Sequence, residues 1–256
     1  MIEYDELKMY KGIDIPITSK ISIMQPTLNQ IMEYGEREYF NAVYTLTCVA
    51  ADMKWQLWEI GQIDYTKIED YDLFVIFLSQ LLKEDFETKD DNKRNPLELI
   101  LRNIHFSNFE IATKDLGNNC SQAILYDRTN NIVIDKYVYI RIVEIVRKIH
   151  GLKRNNEIPA NEQTKMDLIE DAKDEAMLAK SKPYHSLLMP LISTLSVKNG
   201  QCGDEKIWEM PIGRFLYDIK RSSHIQHAEL LLKGAYAGFG SLKGVDQTHL
   251  DIFADI

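Results

Sequence analysis

Cysteine is scarce in this chain. Three occur in 256 residues, Cys48, Cys120 and Cys202, far apart and odd in number. That argues against a disulfide-stapled scaffold and fits a reducing compartment. Long apolar runs are missing too. The densest stretch, residues 73–82, has acids close on either side. It falls short of the roughly 20 residues a membrane-spanning helix needs and reads as a buried helix. The opening residues MIEYDELKMY carry early acids and no apolar leader core, so no signal peptide is expected. Basic residues are outnumbered, 30 against 39 acidic, for a formal charge of −9. Such a surface repels a phosphate backbone, so sequence-independent nucleic-acid binding is not expected. Catalytic signatures are absent as well: no G-x-S-x-G elbow, no HExxH, no Gly-Lys-Ser/Thr phosphate loop and no closely spaced cysteine pair. No internal repeat stands out.

What is present is ordinary globular composition, 45% apolar and 27% charged, enough for a real core in one large domain or two small ones. Ile13, Ile15, Ile17, Ile21 and Ile23 recur at spacings of two around Thr18-Ser19-Lys20, which predicts a short N-terminal hairpin. Thr27 followed by Gln30 is a capping-box pattern. Helices are expected over 27–35, 36–50 and 52–60, with Gly35 and Gly61 as breaks. Thr66 and Glu69 suggest a second capping box before a helix with the stripe Ile68, Tyr71, Phe74, Val75, Leu78, Leu81 and Leu82. The charged run 83–95 reads as an exposed loop and a boundary. After Pro96 a short helix over 97–103 is expected, then strands over 106–114, 123–127 and 132–134. Asp135 caps a helix striped by Val138, Ile142, Ile145, Val146 and Ile149, which ends at Gly151. Residues 161–180 have strong helix propensity but a thin apolar face, so that helix either bridges solvent or waits for a partner. A helix with Leu187, Leu188, Leu191, Ile192 and Leu195 contains Pro190, where a kink is expected. The last helices are expected over 210–220 and 222–236, with the loop 199–203 before them. The fold class is mainly α with minor β. Its segments are 1–95 (strand plus helices), 96–134 (a connector with a β-hairpin) and 135–256 (helices), which could pack as one continuous domain.

Several constellations have both a chemical and a plain reading. His224 and His227, three apart with Glu229 nearby, could share a metal on one helix face; two surface histidines is the plainer reading. The run Gly238-Phe239-Gly240-Ser241-Leu242-Lys243-Gly244 resembles a phosphate loop, but its third glycine is one residue late and it follows a helix, so a helix-end turn is preferred. Paired acids such as Glu69-Asp70 and Glu170-Asp171 read as solvated faces. Cys48, among Leu46 and Val49, reads as a buried small hydrophobe. Arg141, Arg147, Lys148, Lys153 and Arg154 form a basic cluster that a helix C-terminus explains through its dipole. Met53, Trp55 and Trp58 either line a groove for a partner helix or belong to the core.

Certain blocks carry a resemblance. Lys20-Ile21-Ser22-Ile23-Met24-Gln25-Pro26-Thr27-Leu28, with Ile31, Tyr34-Gly35-Glu36 and Tyr39-Phe40, is one. The stretch from Ile134-Asp135 through Tyr139-Ile140-Arg141-Ile142-Val143 to Arg147-Lys148-Ile149-His150-Gly151 is another. Lys182-Pro183-Tyr184-His185-Ser186-Leu187-Leu188 with Pro190-Leu191-Ile192-Ser193 is a third. Trp208-Glu209-Met210-Pro211-Ile212, Phe215 and Leu232-Lys233-Gly234-Ala235-Tyr236-Ala237-Gly238 complete the set. Spread over most of the chain, these blocks resemble the tail-assembly chaperone-like proteins of tailed phages and prophages of Gram-positive bacteria. The resemblance implies a non-catalytic virion-morphogenesis factor in the host bacterial cytoplasm. It would bind the tape-measure protein, keep its apolar helices soluble and recruit tail-tube subunits, and a homo-oligomer is possible. It implies no cofactor and transfers no catalytic residue. The first rival is a structural virion protein (connector, tube or baseplate component). The second is a metal-dependent enzyme built on His224 and His227.

Overall fold

The structure, a computed structural model, describes residues 5–80, 96–102, 104–117, 120–198, 205–238, 240 and 242–254. The loops expected over 83–95 and 199–203 lie outside the described residues, as do Leu81 and Leu82. The chain is mainly helical, with two small three-stranded antiparallel sheets. No helix among the described residues is long and apolar enough to cross a membrane.

The chain enters through α1 (Glu6–Lys11), which Asp5 caps by accepting from the Lys8 amide at 3.1 Å. The alternating isoleucines then form the expected hairpin. β1 (Ile15–Pro16) pairs with β2 (Ser22–Ile23), and Ile15, Ile17, Ile21 and Ile23 are buried while Ile13 stays exposed. The capping box at α2 (Leu28–Tyr34) closes in both directions. Thr27 Oγ1 accepts from the Gln30 amide, and Gln30 Oε1 accepts from the Thr27 amide at 2.9 Å. Gly35, at φ 107°, takes a backbone conformation that L side chains rarely adopt and so separates α2 from α3 (Glu36–Thr47). After a 3₁₀ turn, α4 (Lys54–Gly61) follows.

α5 begins at Asp70–Leu73 and widens into a π-helical turn at Phe74–Leu78. Tyr71, Phe74, Val75 and Leu78 are buried, as the stripe predicts. The second capping box does not form. Thr66 is captured by Asp64, whose Oδ1 accepts from its hydroxyl at 2.7 Å and its amide at 3.1 Å; Glu69, the N-cap, bonds Lys136 instead. A local Asx-type turn outcompetes the cap because both its partners sit two residues away.

The helix expected over 97–103 is also corrected. Pro96–Leu99 is a 3₁₀ turn, and β3 (Leu101–Arg102) adds to the open edge of β2. Leu97, Ile100, Leu101 and Ile104 are spaced as on a helix and all are buried. The unpaired amide edge of β2 decides the conformation, because it offers backbone partners that spacing cannot reveal: the Met24 amide donates to Ile100 O at 2.8 Å. The second sheet holds β4 (Phe109–Gly117), β5 (Cys120–Asp127) and β6 (Ile132–Ile134). Its first strand starts later than expected, because Phe106–Asn108 is a 3₁₀ turn.

α6 (Lys136–Ile149) is capped by Asp135 as expected and buries Ile142, Ile145, Val146 and Ile149. α7 (Glu162–Lys180), α8 (Leu188–Lys198) and the short α9 (Glu205–Trp208) follow. Pro190 produces no break. It is the third residue of α8, inside the first turn, where an N–H would have no intrahelical acceptor. The two helices expected at the end are one, α10 (Ile212–Tyr236), since residues 220–223 hold neither Pro nor Gly to stop it. A single buried cluster draws residues from all three sequence segments, from Ile15 through Phe106 and Val146 to Phe215.

Candidate functional site

Two surfaces could engage another protein, and both are built by short local rules. The first is an apolar groove between α2, α8 and α9, with a volume of about 390 Å³. Its floor is Leu28, Leu188 and Ile207, all buried. Met32 and Met189 stand exposed at its edges, and Ile192 and Trp208 line it half-buried. Glu36 places α8: its Oε1 accepts from the Leu187 and Leu188 amides, each at 2.7 Å. Ser186 Oγ accepts from the Met189 amide at 2.9 Å. A carboxylate and a hydroxyl thus satisfy amides at the start of α8, so the groove wall has a fixed origin.

On the other side, Gln25-Pro26-Thr27 meets Met210-Pro211-Ile212. Thr27 and Pro211 form an antiparallel bridge, the Leu28 amide donates to Met210 O at 3.1 Å, and the Ile212 amide donates to Pro26 O at 2.9 Å. Two blocks that carry the sequence resemblance, far apart along the chain, therefore come together beside the groove. This groove was not singled out from the sequence. The apolar residues of α8 spread beyond its buried face, with Met189 and Val197 exposed, but which helices meet them is set by packing.

The second surface contains the sequence candidates Met53, Trp55 and Trp58. They lie at the start and along α4, half-buried against the core. α7 packs on α4, antiparallel to it. Lys165 Nζ meets Asp64 at 3.1 Å, Lys173 pairs with Glu59, and Lys180 Nζ sits 6.0 Å from the Trp55 ring centre, so the order 165, 173, 180 runs against 64, 59, 55. The preceding segment is tied down by Glu157, which accepts from Lys54 Nζ at 2.6 Å and from the Tyr65 hydroxyl at 3.4 Å. Asp64 is held well below the usual carboxylate range. The Thr66 hydroxyl is the largest cause, and the Thr66 amide, Lys165 and Lys67 add to it, against the opposing effect of burial. The helix expected to bridge solvent or await a partner thus rests on the chain's own α4.

His224 and His227 are engaged with the chain's C-terminal segment. His224 Nε2 donates to Asp251 O at 2.8 Å, and the His227 ring lies edge-on to His249 with centres 5.9 Å apart. Arg221 Nη1 donates to Ile252 O and Ala254 O beside them, at 3.0 and 2.7 Å. Among the described residues no group of three or more His, Cys, Asp or Glu is placed to hold a metal ion. Four of the five basic-cluster residues are dispersed onto internal partners, Arg141 to Ile17 O at 3.1 Å, Arg147 to Thr47 O, Lys148 to Glu6 at 2.8 Å and Arg154 to Asp70 at 2.8 Å, while Lys153 is exposed. Cys48 is buried, and burial pushes its thiol up to about 12, which leaves it protonated and unreactive at neutral pH. Gly238, at φ 76°, comes just after the Ala237 cap of α10, as a helix-end turn requires.

A second hollow of about 390 Å³ lies between α5 and α6. Two charged pairs on its wall are internal, Asp70 with Arg154 and Glu69 with Lys136. No protein-family model matches this sequence, and neither a curated protein nor a solved structure does.

Proposed function

We propose that this chain is a non-catalytic tail-morphogenesis factor that holds the tape-measure protein soluble in the host cytoplasm and recruits tail-tube subunits. The observation that carries the reading is the apolar groove between α2, α8 and α9, flanked by the joined Gln25-Pro26-Thr27 and Met210-Pro211-Ile212 segments. A groove of this kind accepts the apolar stripe of an amphipathic helix at i, i+3, i+4 and i+7. Methionines at its edges suit a partner whose side chains vary along a long repeating helix, because Met repacks with little cost. The partner is a tape-measure helix, which would aggregate if its stripe stayed in water. A net charge of −9 keeps the loaded complex dispersed.

Co-expression with the tape-measure protein of the same phage, followed by size exclusion and mass spectrometry of purified virions, tests the reading. The expected result is co-elution of the pair and absence of this chain from the finished particle. Retention in the particle at fixed copy number would make it a structural virion component. Failure to co-elute would remove the tape measure as its partner.

A further inference from the structure

We infer that α7 is a built-in pseudo-ligand covering a second docking surface on α4, and that the partner for this surface is a helix bearing Lys and Ile/Leu in the alternation α7 itself shows. The inference does not rest on the tail-assembly reading.

The occupied surface combines acids and an aromatic: Asp64, Glu59 and Trp55. The helix on it presents Lys165, Ile169, Lys173 and Lys180. The charges are complementary along the whole contact, with the ammonium groups aligned to two carboxylates and a ring face. Yet the contact is shallow. Of the nineteen residues of α7 only Lys165 and Ile169 are buried, and Met177 and Leu178 point into solvent. The outer pair, Lys173 with Glu59, is exposed, so it adds little and weakens with salt, whereas Lys165 with Asp64 is largely buried.

Attachment is also uneven. The N-terminal end is anchored by Lys165, which is paired with both Asp64 and Glu162, and by Glu157 on Lys54 in the segment before it. Beyond Lys173 no residue of the helix is buried, and an irregular segment, 181–187, separates it from the next anchor, Glu36 on the Leu187 and Leu188 amides. The geometry therefore favours opening from the C-terminal end, which uncovers Glu59 and Trp55 first. A trans helix with the pattern Lys-x-x-x-Ile/Leu-x-x-x-Lys fits the vacated surface because α7 already shows the fit.

The test uses the full chain and a fluorescein-labelled synthetic peptide with the sequence of residues 161–180. Amide hydrogen exchange is followed in α7 and α6 at low and high salt. The expected result is exchange in α7 at least about tenfold faster than in α6, fastest over 173–180 and faster still at high salt. Lys173→Glu removes one clamp, so the variant should bind the peptide at least about tenfold tighter than the unaltered chain. The exchange of Glu59→Lys with Lys173→Glu should restore the covered state and weaken peptide binding again. Trp55→Ala added to Lys173→Glu should abolish binding while the α6 amides stay protected, which shows that the fold survives. Exchange of α7 at the rate of α6 overturns the inference. So does an absence of peptide binding to Lys173→Glu.

Discussion

The Tyr39 hydroxyl donates to Nε2 of His150 across 2.7 Å, and Nδ1 of the same ring donates to Val146 O at 2.7 Å. Both bonds are satisfied by one neutral tautomer, with the proton on Nδ1. Protonation would turn Nε2 into a donor facing a hydroxyl that must then reverse its own bond. Burial lowers the His150 pKa from 6.5 to about 4, and the Val146 carbonyl offsets this only in part. The pair fastens α3 to the end of α6 and joins two of the blocks that carry the resemblance.

A pH dependence follows. The folded pKa is depressed, so between about pH 6.5 and pH 4 the unfolded chain binds the extra proton and the folded chain does not. Stability from this group is complete above 6.5 and declines as pH falls toward 4, by up to about 3 kcal/mol in all. Urea unfolding midpoints across this window should fall with acid. In His150→Gln the same window should be flatter, and an unchanged slope in that variant would remove His150 as the cause.

Two neighbouring tyrosines should respond in opposite directions to loss of the hydroxyl. Tyr71 and Tyr139 have ring centres 5.6 Å apart. The Tyr71 hydroxyl lies within 2.9 Å of Ala123 O and 3.0 Å of Ile134 O, whereas the buried Tyr139 hydroxyl has no partner among the described residues. Tyr71→Phe should destabilise by about 1–2 kcal/mol. Tyr139→Phe keeps the stacking on Phe74, at 4.5 Å, and removes an uncompensated polar group, so it should be neutral or stabilising by about 1 kcal/mol. Chemical denaturation of both variants checks the sign, and a clear loss in Tyr139→Phe would mean its hydroxyl is engaged after all.

Gly213 near the start of α10 is dictated by a neighbour rather than by its own backbone. A Cβ there would come within 2.3 Å of Gln25 Oε1 and 3.3 Å of Ile149 Cγ2. Gln25 cannot swing aside freely, since its Nε2 donates to Met9 O at 2.7 Å and it is buried. Gly213→Ala should cost about 1–3 kcal/mol through overpacking and the displaced amide. Combining it with Gln25→Ala should recover part of that loss; strict additivity in a double-mutant cycle would rule out the contact as the origin.

Met189 is exposed at the edge of the groove. Met189→Glu should leave the thermal midpoint within about 2 °C of the parent, since an exposed site contributes little to stability. The same change places a charge against an apolar stripe and should weaken tape-measure binding at least about tenfold. Binding by isothermal titration that is indifferent to this change would relocate the interface away from the groove.

What the sequence determined is local. Thr27 with Gln30, Asp135 before Val138, the isoleucine alternation and the stripes of α5 and α6 all needed only neighbours within a few residues, and all were legible as hairpin, caps and buried faces. Even the thin apolar face of α7 was readable, as a helix that would not be deeply buried. Tertiary structure decided whatever depended on a distant partner. Residues 97–104 carry a helical spacing, but the open edge of β2 drew Leu101 and Arg102 into a strand. Trp55 could be read as groove or as core until α7 lay over α4 and set Lys180 at its ring. The groove could not be found from spacing because Leu28, Leu188 and Ile207 come from three separate helices. Periodicity reports which face of an element is apolar; only packing determines what that face meets, because the competing partners lie on other elements far along the chain.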